Sequence, residues 1–185
     1  MSADWTRYLL HANLVVHAAL IAGVVWCIAF PGRRIYPMSR KDGWYYAMWS
    51  LFTLVFLSNP ALVILDWNSG LWSSALRFWL GIPVFALGVA FLLWGITTLG
   101  AKNTSGLRDG FIARGPYLIS RNPQYVGDFL VFSGVAIVAN SELVLVTHLL
   151  TALVFVLAPI AEEPWLEAEY GGEYIEYRRG VPRFL

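Results

Sequence analysis

Long apolar runs separated by short polar stretches make up this chain. The first run covers residues 8–30, or about 35 Å of helix, which is enough to cross a bilayer. Four more apolar runs follow, at 44–65, 71–100, 125–139 and 143–160. The last two are short, which predicts a tightly packed helical hairpin around the polar turn at 140–142. The pattern therefore predicts an all-α integral membrane protein with five transmembrane helices.

Basic residues gather in the polar stretches after the first, third and fifth runs. The three clusters comprise Arg33, Arg34, Arg40 and Lys41, then Lys102, Arg108, Arg114 and Arg121, then Arg178, Arg179 and Arg183. Only Arg7 and Arg77 fall on the other side. Five spans place all three clusters on one face, which the positive-inside rule makes cytoplasmic. We therefore expect a bacterial or archaeal inner-membrane protein with its N-terminus outside and its C-terminus in the cytoplasm.

Composition agrees with a membrane location and excludes several kinds of site. Hydrophobic residues make up 58% of the 185 residues and charged residues 14%, too little charge to cover a soluble domain. The net charge of +1 gives no reason to expect nucleic acid as a partner. Cys27, the single cysteine, excludes a disulfide framework, and the histidines lack metal-ligand spacing, so no metal is expected. The run at 8–30 is too long for a cleaved signal peptide and is expected to stay in the membrane.

The glycine-punctuated stretch 101–123 ends in polar residues beside a helix start. Pro123 suits the first turn of a helix because it has no amide hydrogen, so the fourth span is predicted to begin there. The N–H groups and dipole of that helix end favour a ligand carboxylate or phosphate, with Arg121 and Asn122 at its mouth. Gly127 would let a backbone or a ligand approach closely. The plainer interpretation is a loop-to-helix junction at the interface, and spacing alone does not separate the two.

A pair of glutamates ends the last apolar run. Adjacent residues of a helix face different directions, so one of Glu162 and Glu163 can point inward while the other faces solvent. A carboxylate at this depth is costly unless it meets a cation, which makes the inward one a functional candidate. The plainer interpretation is a solvated helix end. The tail that follows repeats tyrosine and glutamate at helical spacing, which an amphipathic helix on the membrane surface also explains.

Taken together and in this order, these features resemble the isoprenylcysteine carboxyl methyltransferase family. The family pattern is G-x-Y, R-H-P-x-Y-x-G, an apolar hairpin with a polar turn, E-E, and a tail of the form F-G-x-E-Y-x-x-Y-x-x-x-V-P. This chain has GPYLISRNPQYVG, a hairpin turning at Asn140, AEEPWL and YGGEYIEYRRGVPRF. The match covers residues 98–185, and the combination is specific although each piece alone is not. The chain accordingly divides into three N-terminal spans (1–100) and a catalytic region (101–185).

The resemblance implies a methyltransferase that uses S-adenosylmethionine, held in a cytoplasmic pocket formed by the C-terminal half. Asn122 stands where the family has histidine; an amide keeps the hydrogen bonds but cannot titrate near neutral pH. Cofactor contact can survive that change, whereas an acid–base role at the position is lost. The cofactor-binding residues that the resemblance implies are Tyr117, Asn122, Pro123, Tyr125, Gly127, Glu162 and Glu163.

The acceptor that the resemblance implies is a lipophilic carboxylate of the isoprenylcysteine type. A carboxylate is already ionised at pH 7 and needs no general base, so Asn122 does not prevent its methylation. We predict that Arg121 and Arg179 orient this anion and that Glu173 fixes Arg179. The expected partners are membrane lipids and a prenylated or lipid-like small molecule that enters between the helices.

Three other interpretations stay open. A phospholipid N-methyltransferase would use the same cofactor, but its ammonium acceptor must lose a proton that Asn122 cannot take. An NADPH-dependent membrane reductase would share the segment R-x-P-x-Y-x-G-D, which ends at Asp128. A diverged scaffold could keep the fold without activity. The acceptor and the oligomeric state cannot be read from the pattern.

Overall fold

The computed structural model describes residues 2–38, 40–70, 72 and 74–185, which fold into helices joined by turns and loops. Single turns of 3-10 helix lie at Pro31–Arg33 and Gly115–Leu118. The α-helices of the described residues are α1 (Ser2–Ala29), α2 (Gly43–Leu65), α3 (Leu76–Leu99), α4 (Ala101–Thr104), α5 (Pro123–Ala139), α6 (Glu142–Tyr170) and α7 (Gly172–Gly180).

Four helices, α1, α2, α3 and α6, are long and apolar enough to cross a membrane. This confirms the prediction of an all-helical membrane protein. Helix α5 has 17 residues, about 26 Å, which is shorter than a hydrocarbon core of about 30 Å. A fifth crossing therefore stays a prediction. The predicted start of the third run at Leu71 lies outside the described residues, and α3 begins at Leu76.

Helix α6 continues well past the predicted end of the last apolar run at residue 160. It remains helical to Tyr170 in spite of Pro159 and Pro164. The extension carries Glu162 and Glu163 inside the helix, where partners from the loop before α2 and from the C-terminal tail meet them. The predicted polar tail from Glu162 is thus a helix end followed by α7.

Helices α3 and α5 pack antiparallel along most of their length. Gly81, Gly88 and Gly95 recur every seven residues on the face of α3 that meets α5. Gly127 and Gly134 do the same on α5. Small residues let two helix backbones approach closely, and the resulting van der Waals packing helps to hold helices together in lipid. This pair holds the start of α5 against the end of α3.

The hairpin turn between α5 and α6 docks onto the connection between α2 and α3, at the end of the bundle opposite the glutamates. Asn140 adopts the left-handed conformation with φ 46°, which asparagine tolerates at a helix end. Its carbonyl accepts from the Gly70 amide at 2.7 Å, and Ser141 Oγ donates to Asp66 Oδ2 at 2.5 Å. The predicted polar turn at 140–142 is confirmed.

A polar network crosses the buried interface between α1, α2 and α6. His17 Nδ1 donates to the Asn13 carbonyl at 2.9 Å, so in the neutral ring Nε2 accepts from the Thr151 hydroxyl at 2.8 Å. One turn away, Thr147 Oγ1 donates to Asn59 Oδ1 at 2.7 Å. Because these polar side chains are buried, breaking their hydrogen bonds would be costly, and the bonds therefore fix the register of the three helices.

We expect Thr151→Val to lower the free energy of unfolding by about 0.6–1.7 kcal/mol, because it leaves His17 Nε2 without a donor at nearly unchanged volume. The measurement is thermal denaturation in detergent. Thr97→Val is the matched control, since the exposed Thr97 hydroxyl bonds only its own helix, and this variant should melt like the wild type. Equal melting of both variants would show that the network does not fix the helices.

Candidate functional site

The candidate site lies at the basic end of the bundle, which we define by residues 30–38, 40–42, 100–122 and 171–185. Four parts of the chain meet there: the loop before α2, the start of α5, the end of α6 and the C-terminal tail. Pro123 occupies the first turn of α5 as predicted, and it is buried. The end of α6 places Glu162 and Glu163 next to each other but toward different neighbours.

Glu162 is bound by two tyrosine hydroxyls. Tyr125 Oη donates to Glu162 Oε1 at 2.5 Å, and Tyr36 Oη donates to the same oxygen and contacts Tyr125 Oη. Burial, and then the charge of Glu162, raises the pKa of Tyr36 well above its ordinary value, so this phenol keeps its proton and donates. In the described part of the chain, Glu162 Oε2 accepts no hydrogen bond. One carboxylate oxygen therefore stays available to a ligand.

Glu163 is bound by two arginines. Arg183 approaches in a bidentate manner, with Nε 2.8 Å from Oε1 and Nη2 2.7 Å from Oε2. Arg121 Nη2 lies 3.1 Å from Oε1. The hydrogen bonds to Glu163 raise the pKa of Arg183 above its ordinary value. Of the side chains, Arg121 is 9% exposed and Glu163 10%, so this ion pair is largely withdrawn from water.

Arg121 keeps hydrogen-bonding capacity that no described residue uses. Its Nε and Nη1 atoms are buried and have no partner in the described part of the chain. A buried donor without an acceptor is costly, and the cost is greater on a charged group. The two donors lie on different edges of the guanidinium, so each can donate one hydrogen bond to an anionic oxygen, but they do not form a fork on a single carboxylate. The arrangement fits a ligand anion beside the Glu163 carboxylate.

The C-terminal tail lies across the loop before α5. The Arg121 amide donates to the Pro182 carbonyl at 2.9 Å, and Asn122 Nδ2 donates to the Arg183 carbonyl at 3.0 Å. Ser120 Oγ donates to the same carbonyl at 3.3 Å. Asn122 thus holds the tail that carries Arg183. The predicted contact between Asn122 and a cofactor stays a prediction.

An aromatic cluster supports this loop from the side of α7. Tyr177 Oη donates to the Tyr117 carbonyl at 2.6 Å, and the Phe111 ring contacts the rings of Tyr174 and Tyr177. Burial raises the pKa of Tyr174 to about 12, so its phenol stays neutral. The hydroxyl of Tyr117 accepts from Gln124 Nε2 at 3.0 Å. The cluster locks α7 onto the loop that carries Arg121.

Several residues predicted for the site lie apart from the glutamates. Gly127 faces Leu92 of α3, so the close neighbour it admits in the structure is a helix backbone. Arg179 is exposed on α7 and lies 3.4 Å from Glu176, its partner in place of the predicted Glu173. Glu173 is also exposed. The roles of Arg179 and Glu173 in acceptor binding stay predictions.

Two residues that the sequence did not single out contact the glutamates directly. Tyr36 lies in the basic loop before α2, and no spacing in the sequence connects it to Glu162. Arg183 lies within the motif VPRF of the tail, so its neighbourhood was visible in the sequence although its partner was not.

An open groove of about 740 Å³ runs along the loop between α1 and α2. It is lined by basic and aromatic side chains that include Arg33, Arg34, Trp26 and Trp44. These residues belong to the N-terminal half of the chain. The predicted pocket formed by the C-terminal half stays a prediction.

Comparison with known proteins adds family information to this geometry. Residues 76–173 match the family described as phospholipid methyltransferase, which is just over half of the chain. The phosphatidylethanolamine N-methyltransferase of the rat, Rattus norvegicus, is 28% identical over 125 residues. The aligned region covers 64% of this chain and 59% of the rat protein, so the chain spans about three fifths of the relative's length. No solved structure matches.

Proposed function

This chain belongs to the phospholipid methyltransferase family, and from that premise we propose that it transfers a methyl group from S-adenosylmethionine to the amino group of a membrane phospholipid. The observation that carries the proposal is the glutamate pair of α6, with Glu162 bound by tyrosines and Glu163 by arginines. The pair lies within residues 76–173, the part of the chain that matches the family.

The side chains at the basic end fit the chemical groups of S-adenosylmethionine. When bound, this cofactor supplies a methyl group on a positively charged sulfur. The unpartnered donors of Arg121 suit its carboxylate, and Glu162 Oε2 suits an ammonium or a ribose hydroxyl. Tyr36 and Tyr125 hold Glu162 in place as protonated donors. The predicted cofactor contacts of Tyr117, Pro123 and Gly127 belong to the same proposal.

The family favours an amine acceptor over the carboxylate expected from the sequence resemblance. The family's description and the name of the rat relative both refer to phospholipid methylation. A lipid acceptor also explains why the site is built at the end of membrane-spanning helices, because the substrate is concentrated in the same bilayer. By the positive-inside rule, we place the basic end in the cytoplasm.

Methylation of a lipophilic carboxylate is the second candidate. The unpartnered, charged donors of Arg121 favour it, because a hydrogen bond from a guanidinium to a carboxylate is charge-assisted and strong. In this case Arg121 and Arg179 would orient the acceptor, with Glu173 fixing Arg179. The exposed position of Arg179 would then require the acceptor to reach the outer face of α7.

The test of the proposed function is calorimetric titration of the detergent-purified protein with S-adenosylhomocysteine, with NADPH in parallel. We expect saturable binding of the nucleoside alone. Glu162→Gln should weaken it by roughly 10- to 100-fold, because the variant loses a charged acceptor. Glu169→Gln, on the same helix and paired with Arg108, is the matched control and should bind normally.

Methyl transfer is then measured with labelled S-adenosylmethionine and vesicles containing phosphatidylethanolamine. Product in these vesicles supports the amine acceptor, whereas product with a carboxylate lipid alone supports the second candidate. Binding of NADPH in place of S-adenosylhomocysteine would indicate that the protein is a membrane reductase. Binding of neither would leave a scaffold as the better interpretation.

A further inference from the structure

Helix α5 carries an acidic residue that the site described above does not use. Asp128 lies in the second turn of the helix and is half-buried. In the described part of the chain it makes no hydrogen bond and no ion pair. An ionisable residue inside a membrane protein is costly without a partner and marks a substrate or ion path by default. With no partner in the described part of the chain, the Asp128 carboxylate is neutralised either by a proton or by a cation from outside the chain.

The contacts of neighbouring residues show which side of α5 carries Asp128. Gly127 and Gly134 face α3, whereas the rings of Tyr125 and Phe132 both contact Phe155 of α6. At 100° per residue, Asp128 lies 100° from Gly127 and 60° from Tyr125. It therefore occupies the seam of α5 between the face that meets α3 and the face that meets α6.

This seam becomes polar toward the basic end. Gln124 lies four residues before Asp128 and so on the same side of the helix, one turn closer to that end. Its Nε2 donates to Thr104 Oγ1 at 3.1 Å and to the Tyr117 hydroxyl at 3.0 Å. Asp128 is thus the deepest polar residue of a strip that begins at the loop after α3.

The strip runs along α5 beside Tyr125, the tyrosine of this helix that binds Glu162. Tyr125, which donates to Glu162, precedes Asp128 by three residues, or about 4.5 Å along the helix axis. Asp128 is therefore less than one helical turn deeper in the membrane than the tyrosine that binds Glu162. A headgroup inserted from the bilayer would meet Asp128 immediately below the position that we propose for the methyl donor.

We propose that Asp128 binds the ammonium group of the phospholipid acceptor, an inference that rests on the proposed function. A carboxylate in a low-dielectric seam attracts a cation strongly and repels a carboxylate acceptor. It can also take an N–H proton of the ammonium onto one of its oxygens, which leaves a neutral amine with its lone pair free. Asn122, being an amide, cannot fill that role. Asp128 thus selects an amine headgroup.

The test compares Asp128→Asn with the wild type in vesicles of phosphatidylcholine and phosphatidylethanolamine, with labelled S-adenosylmethionine as donor. We expect kcat/KM for methyl transfer to fall by roughly 10- to 100-fold, because an uncharged amide replaces a charged hydrogen-bond acceptor. S-adenosylhomocysteine binding should be unchanged. By native mass spectrometry, the variant should lose the wild type's preference for phosphatidylethanolamine over phosphatidylglycerol.

Two further variants separate a role in binding from a role in folding. Asp128→Glu keeps the charge and should recover part of the activity and of the headgroup preference. Glu142→Gln removes one exposed charge at the opposite end of the bundle and should behave as the wild type.

The outcomes separate this inference from the proposed function on which it rests. If Asp128→Asn keeps kcat/KM within about threefold and keeps the headgroup preference, the inference is wrong while the proposed function stands. If the wild type methylates no phosphatidylethanolamine, both are wrong.

Discussion

Glu163→Ala should lower the free energy of unfolding by about 3–5 kcal/mol, since it leaves the buried Arg121 guanidinium without its anion. Most of this loss of stability comes from Arg121, because the Arg183 side chain is 37% exposed and can be hydrated when Glu163 is absent. Thermal denaturation followed by tryptophan fluorescence measures the change. Hydrogen exchange of the Arg121 amide, which bonds the Pro182 carbonyl, should also become faster because the tail is released.

The control for this prediction is Glu167→Ala, on the same helix. Glu167 pairs with Arg178 where both side chains are about two fifths exposed, so the cost should stay below about 1 kcal/mol. Adding Arg121→Met to Glu163→Ala removes the unpaired charge and should recover part of the lost stability. If Glu163→Ala unfolds at the temperature of Glu167→Ala, the ion cluster does not hold this end of the bundle together.

The membrane helices were the most predictable part of the fold. In lipid every backbone amide and carbonyl must be bonded within the protein, and an uninterrupted apolar run of about 20 residues achieves this as a helix. Helices α1 and α2 accordingly lie close to the runs 8–30 and 44–65. Helix α5 shows the limit of the argument, because its 17 residues define a helix without deciding whether it crosses the bilayer alone.

The glutamate pair shows what helical spacing predicts and what it does not. The rotation between adjacent residues predicts that Glu162 and Glu163 meet different neighbours, and the structure confirms this. The expectation that one of them faces solvent is wrong, because Arg183 folds back over Glu163 from 20 residues further along the chain. Tyr36 reaches Glu162 across 126 residues. Periodicity carries no information about such distant partners.

The sequence does contain a signal for the packing of α3 on α5, but its small residues recur every seven residues and not every four. The spans lack a clear small-xxx-small face, but glycines recur at intervals of seven at Gly81, Gly88 and Gly95 and again at Gly127 and Gly134. Seven residues return to nearly the same side of a helix, so both stripes face one partner. That the partner is the neighbouring helix of the same chain follows only from the structure.

Gly134→Ala should therefore be among the most damaging single-methyl additions in this protein. A methyl group at Gly134 would lie 2.5 Å from the backbone nitrogen and 2.7 Å from Cα of Phe85, and a helix backbone cannot turn aside as a side chain can. We expect the free energy of unfolding to fall by about 3 kcal/mol, the upper end for overpacking. The start of α5, which carries Tyr125, should move with it, so binding of S-adenosylhomocysteine should weaken as well.

Gly23→Ala is the matched control, because it adds the same methyl to another membrane helix. There the nearest atoms are Cδ1 of Ile35 at 3.5 Å and Sδ of Met48 at 3.9 Å, which is ordinary van der Waals contact. Alanine also favours the helix by about 1 kcal/mol over glycine, so this variant should melt at or above the wild-type temperature. The measurement is the thermal denaturation temperature of each variant in the same detergent. If Gly134→Ala were as stable as Gly23→Ala, α3 and α5 could move apart at no cost. The close packing of these two helices would then not be what positions the site.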